Sequence, residues 1–207
     1  MKREAIVLAA GRGERLGGPK ALLLVADASG VEVPLARLHV DALLAADVQR
    51  VFVVAREPVA RRLAPLLPPR AAIVHSHAAD ALGPAGSLAA AAGLLDPRAF
   101  VVVTPVDAAP ASRDVVEALF EALAGAVDAR AARPVFAGRG GHPVLLAPGA
   151  LERYLEPEPP ILRAHLRALG LVDVPVEDAS VCVDLDTEAD VRAYIGGAPR
   201  FHRPRSA

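Results

Sequence analysis

A three-layer α/β fold, doubly wound around a mostly parallel sheet, is what this chain predicts, and three observations carry the prediction. Short apolar runs alternate with amphipathic segments from residue 5 to residue 124. Runs such as Val51-Phe52-Val53-Val54 and Val101-Val102-Val103 are apolar at consecutive positions, which suits strands covered by helices on both faces. The first run passes straight into a glycine-rich loop, at the edge where such sheets bind ligands.

Taken in order, Ala5–Ala9 is the first strand, an apolar run too short for a helix. Residues 11–20 are a loop, because four glycines and Pro19 leave no regular period. Amphipathic spacing predicts helices near Leu35–Ala46, Pro58–Leu67, Ser87–Leu95 and Ser112–Ala124. Between them, apolar runs predict strands at Arg50–Ala55, Ala71–His75 and Phe100–Thr104. After Ala131 the rhythm is more mixed. Pro134–Ala137 and Pro143–Leu146 flank a Gly138-Arg139-Gly140-Gly141 turn, two short helical stretches follow, and Leu171–Val176 and Val181–Val183 read as strands. Thr187, with Asp190 three residues on, resembles a capping box opening a last helix. One domain over residues 1–195 is expected, since 207 residues suffice for one sizeable core and no linker interrupts them. Gly196–Ala207 is rich in Gly, Pro and Arg, poor in apolar residues, and reads as a flexible tail.

The formal net charge is −1 and the arginines are scattered, so no basic face points to nucleic acid or a membrane surface as partner. Met1-Lys2-Arg3-Glu4 and the short apolar run after it do not make a signal peptide or a membrane span, and a cytoplasmic location is the expectation. Cys182 is the single cysteine, and no Cys/His cluster has zinc spacing. His75-Ser76-His77 would place two imidazoles on one face of a strand, yet no third ligand lies nearby in sequence.

Ligands of such a sheet bind just beyond the carboxyl ends of its strands. Three places qualify. The first is Gly11-Arg12-Gly13-Glu14-Arg15-Leu16-Gly17-Gly18-Pro19-Lys20, where glycine backbone and cations converge on something anionic, with phosphate the natural guess. Lys20 is one of two lysines in a chain with 21 arginines, so a compact ammonium is wanted there. The second is Asp107, held between Pro105 and Pro110, a carboxylate able either to hold Mg²⁺ or to start the turn into the next helix. The third is Asp184-Leu185-Asp186-Thr187-Glu188-Ala189-Asp190, in which Asp184 and Asp186 lie outside the helix cap.

Leu8-Ala9-Ala10-Gly11-Arg12-Gly13-Glu14-Arg15-Leu16-Gly17-Gly18-Pro19-Lys20 resembles the signature of nucleotidyltransferases, and the short Arg15 to Lys20 spacing is similar to the molybdenum cofactor cytidylyltransferase branch of the MobA/MocA-like family. Gly83-Pro84-Ala85-Gly86-Ser87-Leu88, Asp107, Gly138-Arg139-Gly140-Gly141-His142-Pro143-Val144 and the Asp184 to Asp190 segment match in the same order, from residue 5 to about 195. The resemblance implies a Rossmann-like fold of the nucleotide-diphospho-sugar transferase kind. It also implies a Mg²⁺-dependent reaction: a small phosphorylated acceptor, such as a molybdopterin-type cofactor, attacks the α-phosphorus of a nucleoside triphosphate, CTP before GTP, and pyrophosphate leaves. In family terms Arg15 and Lys20 are catalytic and hold the triphosphate, while Asp107 and Asp186 bind metal. Leu8, Ala9, Ala10, Gly11, Arg12, Gly13, Lys20, Gly83, Gly86 and Ser87 bind nucleotide, with Ser87 also able to cap the following helix. Gly141, His142 and Pro143 face the acceptor.

The chain departs from the family at Gly13, where serine is common, at Leu16 for methionine and at Leu88 for a second serine. It also carries a longer connection at Val25–Val33, and the common acceptor motif is missing between Leu151 and Ala168. Two other readings stay open. Gly11, Gly13 and Gly17 imitate the fingerprint of an NAD(P)-dependent oxidoreductase, although Pro19 interrupts the helix that fingerprint needs. A nucleotide-binding regulatory protein without turnover would share the pocket, although Lys20, Asp107 and Asp186 are all present. Base, acceptor and oligomeric state are not legible in the spacing.

Overall fold

The computed structural model describes residues 1–76 and 82–203. Among them, one eight-stranded sheet runs in the order β10-β7-β9-β6-β1-β4-β5, with the short β8 paired to β7. Its strands are β1 (Arg3–Leu8), β4 (Arg50–Ala55), β5 (Ala71–His75), β6 (Phe100–Pro105), β7 (Ala131–Phe136), β8 (Arg139–Gly140), β9 (Val144–Leu146) and β10 (Leu171–Pro175). β1 is parallel to β4 and β6, β4 to β5, and β7 to β10, whereas β9 is antiparallel to both β6 and β7. A mostly parallel α/β fold is therefore what the chain forms.

The consecutive apolar residues of the strands feed two cores. Ala5, Val7, Val51, Val53 and Val102 point to one face. That face packs under α1 (Leu35–Ala45), α2 (Glu57–Leu63), α4 (Arg113–Gly125) and α6 (Glu188–Ile195), with Leu43, Leu63, Leu119 and Val191 among the buried helix residues. Ile6, Phe52, Val54, Val101 and Val103 point the other way, against Ala85 and Leu88 of α3 (Pro84–Ala92) and against Leu162 and Leu166 of α5 (Leu162–Ala168). Both faces are thus covered, as unalternated strands require. Each helix lies within a few residues of its sequence-derived position. α3 departs most, starting at Pro84 after Gly83, because proline tolerates the first helical turn and Gly83 supplies a φ of 55° before it.

Two expectations need correction, and a third segment gains detail. Val181–Val183 is not a strand: the Asp178 side chain accepts from the Ser180 N–H and closes a 3-10 turn over Ala179–Cys182. The long connection at Val25–Val33 is a hairpin of β2 (Leu24–Ala26) and β3 (Glu32–Pro34), whose turn is tied by Asp27 Oδ1 accepting from the Ser29 and Val31 N–H groups. The tail is not loose throughout. Leu24 N–H donates to Arg200 O at 2.7 Å, His202 N–H donates to Leu22 O at 2.8 Å, and Phe201 packs against the larger core.

No helix among the described residues is long and apolar enough to cross a membrane.

Candidate active site

β1 leads by way of α1 to β4 on one side of it, whereas β6 lies on its other side. The strand order reverses at β1, and a crevice opens beyond the carboxyl ends of β1 and β6, where doubly wound sheets take ligands. A cleft of about 470 Å³ sits there.

One wall is the loop after β1. Ala9 N–H donates to Val54 O, which prolongs the sheet by one residue, and the Ala10 carbonyl accepts from Arg56 Nε at 2.5 Å. The chain then doubles back: Gly13 O accepts from both the Leu16 and Gly18 N–H groups. Gly13 takes φ 67°, and a Cβ there would lie 1.9 Å from Gly18 O, so only glycine fits this fold of the loop. Pro19 opens a 3-10 turn, Lys20–Leu22, whose first side chain enters the cleft.

The opposite wall carries the acids. β6 ends at Pro105, placing Asp107 in the next turn. Leu185 N–H donates to Asp107 O at 2.7 Å, Ala109 N–H donates to Val183 O, and Ala108 pairs with Asp184 in an isolated antiparallel bridge. These backbone bonds, rather than any side-chain contact, bring residues 107 and 186 together. Lys20 Nζ donates to Asp107 Oδ2 at 2.9 Å and to Asp186 Oδ1 at 2.5 Å. Burial pulls the ammonium pKa down, but the bonds to Asp186 and Asp107 and their charges outweigh it, and the value stands above that of ordinary lysine.

Leu8, Ala10, Gly11, Arg12, Gly13, Arg15, Lys20, Gly83, Ser87, Asp107 and Asp186 all line this one cleft. Ala9 and Gly86 do not: Ala9 is bonded into the sheet, and Gly86 is buried in the first turn of α3. Ser87 is not a cap, since it lies inside α3 with its N–H on Gly83 O and its hydroxyl 3.5 Å from that of Ser76. Gly141, His142 and Pro143 lie outside the cleft lining. Gly141 N–H donates to Pro134 O and His142 N–H to Val181 O. Burial holds the His142 imidazole below its ordinary pKa, against the pull of Asp184 and Asp107.

Arg56, Glu14, Pro84 and Val106, to which the sequence assigned no role, also line the cleft. Arg56 was findable, because it directly follows β4 at the same sheet edge. His39 was not: it sits on α1 with Nε2 3.0 Å from Ala108 O, a contact no sequence period announces. Among the described residues no group of three or more His, Cys, Asp or Glu is gathered as a metal cage. His75 pairs through Nδ1 with Glu57 at 2.6 Å, and His77 lies outside the described residues. Asp107 and Asp186 do suit a hard cation of the Mg²⁺ type, which keeps water and takes phosphate oxygens besides one or two carboxylates. They already converge on one positive charge, the Lys20 ammonium. No helix opens at Gly17, the third glycine of the imitated fingerprint. Gly17 is followed by the Lys20–Leu22 turn and the β2–β3 hairpin, and α1 starts only at Leu35, which removes the geometry of a dinucleotide fingerprint.

Several solved structures share this architecture. A homologue of Mycobacterium tuberculosis Rv0371c from Mycobacterium sp. strain JC1 superposes with a TM-score of 0.74 at 21% identity, covering 95% of this chain and 97% of its own. Rv0371c of M. tuberculosis H37Rv, in complex with manganese, gives 0.71 at 18% identity over 95% and 99%. A nucleotidyl transferase from Methanothermobacter gives 0.72 at 18% identity over 94% and 96%. No curated protein matches the sequence. The description that matches at the family level is the MobA-like NTP transferase domain, over residues 5–170, and the chain belongs to that family of nucleotidyltransferases.

Proposed function

We propose that this nucleotidyltransferase moves a nucleoside monophosphate from a nucleoside triphosphate, CTP in preference to GTP, to a small phosphorylated acceptor such as a molybdopterin-type cofactor, with release of pyrophosphate. The observation that carries the reading is the Lys20 ammonium held between Asp107 and Asp186 in a glycine-walled cleft at the strand switch. Such a transfer needs positioning and charge stabilisation rather than a protein nucleophile.

The loop from Gly11 to Gly13 offers backbone to the phosphates without a Cβ in the way. Arg15, exposed at the cleft, and Lys20 hold the triphosphate and offset the charge that develops as pyrophosphate leaves. Gly83, Pro84 and Ser87 form the wall that takes base and ribose. The Ser87 hydroxyl, buried and within reach of Ser76, is a polar group on that wall that could read the base. Asp107 and Asp186 would hold Mg²⁺, which when bound supplies the positive charge that lets two phosphate anions approach. Burial holds the His142 imidazole below its ordinary pKa, and with Gly141 and Pro143 it would form the acceptor side of the site.

A thermal-shift screen of CTP, GTP, ATP and UTP with Mg²⁺ tests the nucleotide. A ligand at a hundred times its dissociation constant stabilises by about 2.7 kcal/mol, which the melting temperature registers. CTP is expected to give the largest shift. A shift with none of the four, or with NAD(P) alone, overturns the reading.

A further inference from the structure

Lys20 reaches its two carboxylates on a long, flexible side chain, so its placement depends on how firmly its backbone is held. The turn that carries it is gripped from outside the nucleotide cleft by the end of the chain. Two residues before Lys20, Gly18 lies against the Phe201 ring: a Cβ on Gly18 would sit 3.0 Å from Cδ1 and Cγ of that ring. Two residues after Lys20, Leu22 O accepts from the His202 N–H, and Leu24 N–H donates to Arg200 O. Leu23 and Phe201 form an isolated antiparallel bridge between these bonds. Arg200 also pairs with Glu32 of β3, fastening the segment to the hairpin that follows the turn. The Phe201 side chain is partly buried against the core, which anchors the grip in packed structure rather than in solvent.

We infer that residues 200–202 are a strap that positions Lys20 for nucleotidyl transfer, with Phe201 as its key positioning residue. The inference rests on the role given to Lys20 above. Phe201 does not line the nucleotide cleft; it packs on the far side of the loop, at Gly18, just before the Lys20 turn. Displacement of a catalytic group by about 1 Å costs up to about a hundredfold in rate, so a strap of this kind is felt in turnover before it is felt in folding.

The test uses the full chain. Phe201→Ala is expected to lower kcat for pyrophosphate release roughly tenfold or more while KM for the acceptor changes little, and Phe201→Leu to recover part of the loss. In a Lys20→Arg background, which keeps part of the activity, the same Phe201→Ala change is expected to cost much less than in the wild type, because the strap acts through Lys20. Wild-type kcat in a folded Phe201→Ala protein, or an undiminished further loss in the Lys20→Arg background, overturns the proposal. Should Phe201→Ala fail to fold, Gly18→Ala keeps the ring but presses a methyl group against it, so that ring or loop must give by a few tenths of an ångström, and a smaller loss of kcat is expected; an unchanged kcat in a folded Gly18→Ala protein then overturns the proposal. Amide hydrogen exchange at Leu24 and His202 reads the grip without any substrate: Phe201→Ala is expected to speed it. Unchanged exchange overturns the strap even if the wild-type chain turns over no nucleotide, a result that would defeat only the proposed reaction.

Discussion

Lys20 is the residue on which the most physical argument converges. Its ammonium bridges two carboxylates that lie together on the opposite wall of the cleft, and it does so from a position with 15% side-chain exposure, where screening by solvent is incomplete. On the proposed reading the same two carboxylates receive the metal, so the ammonium is its rival until a triphosphate draws the lysine away. Lys20→Ala is then expected to bind Mn²⁺ more tightly than the wild type in the absence of nucleotide, by electron paramagnetic resonance titration, while losing pyrophosphate release. Equal or weaker Mn²⁺ binding in the variant would contradict the rivalry. Asp107→Asn removes one partner and is expected to abolish turnover with the fold retained, measurable as a normal circular dichroism spectrum beside a lost pyrophosphate signal. Lys20→Arg separates charge from shape: a planar guanidinium brings its donors in a fixed fork, and activity is expected to fall because the two acids are spaced around a single nitrogen. The special standing of Lys20 was legible from composition alone, since arginine fills nearly every other basic position.

At the scale of elements, the long helices and the strands of the main sheet in the first 125 residues were legible because each has an unbroken period, whereas the β2–β3 hairpin and other short segments shaped by side chain to backbone bonds were not. Val181–Val183 has the composition of a strand, yet Asp178 diverts it into a 3-10 turn, and that turn is what leaves Asp184 and Leu185 free to pair with the Asp107 loop. The capping box at Thr187 was legible because both partners lie within four residues: Asp190 N–H donates to Thr187 Oγ1, and Thr187 N–H donates to the Asp190 carboxylate. That box starts α6 directly after Asp186 and seats Val191 in the core. Thr187→Ala is expected to cost about 1 kcal/mol, the usual effect of losing an N-cap, and to weaken nucleotide binding by loosening Asp186. Thermal melting read beside a nucleotide titration checks both parts. The glycine loop makes a stronger claim. Gly13→Ser forces a side chain into a left-handed position and a Cβ onto Gly18 O, so the loop must refold. Its left-handed backbone alone costs about 1–2 kcal/mol, or a melting temperature lower by at least about 2–4 °C for a chain of this size, with loss of triphosphate binding. A Gly13→Ser protein with unchanged melting and binding would show that the loop does not need this bend.

Across the whole molecule, the parts of the site come from opposite ends of the chain, and the contacts that join them were beyond sequence reading because they pair backbone with backbone or a buried side chain with a carbonyl. His39 is the clearest case. It projects from the middle of α1, is 1% exposed, and touches the Ala108 carbonyl one residue past Asp107, so it ties a helix of one layer to the strand end that bears the acid. Burial dominates its titration: it drives the imidazole pKa from 6.5 down to about 4, against the favourable pull of the Ala108 and Val106 carbonyls and the Asp107 charge, with His142 opposing protonation as well. The unfolded chain takes up a proton at this residue near pH 6.5, while the folded chain does so only near pH 4. In that window the unfolded state binds more protons, so stability falls as pH falls. The contribution is complete above about pH 6.5, is lost progressively down to about pH 4, and amounts to an order of 3 kcal/mol. Burial shifts His142 in the same direction and adds to the slope. Urea melts from pH 8 to pH 4 are therefore expected to show declining stability before the ordinary carboxylates begin to protonate. His39→Gln supplies an amide donor for Ala108 O without a titrating ring, and it is expected to flatten the slope between pH 6.5 and pH 4 even where its stability at pH 8 is somewhat lower. An unchanged slope in that variant would assign the acid sensitivity elsewhere. A flattened slope would establish that the same buried contact which holds the Asp107 turn in place also sets the acid limit of the fold.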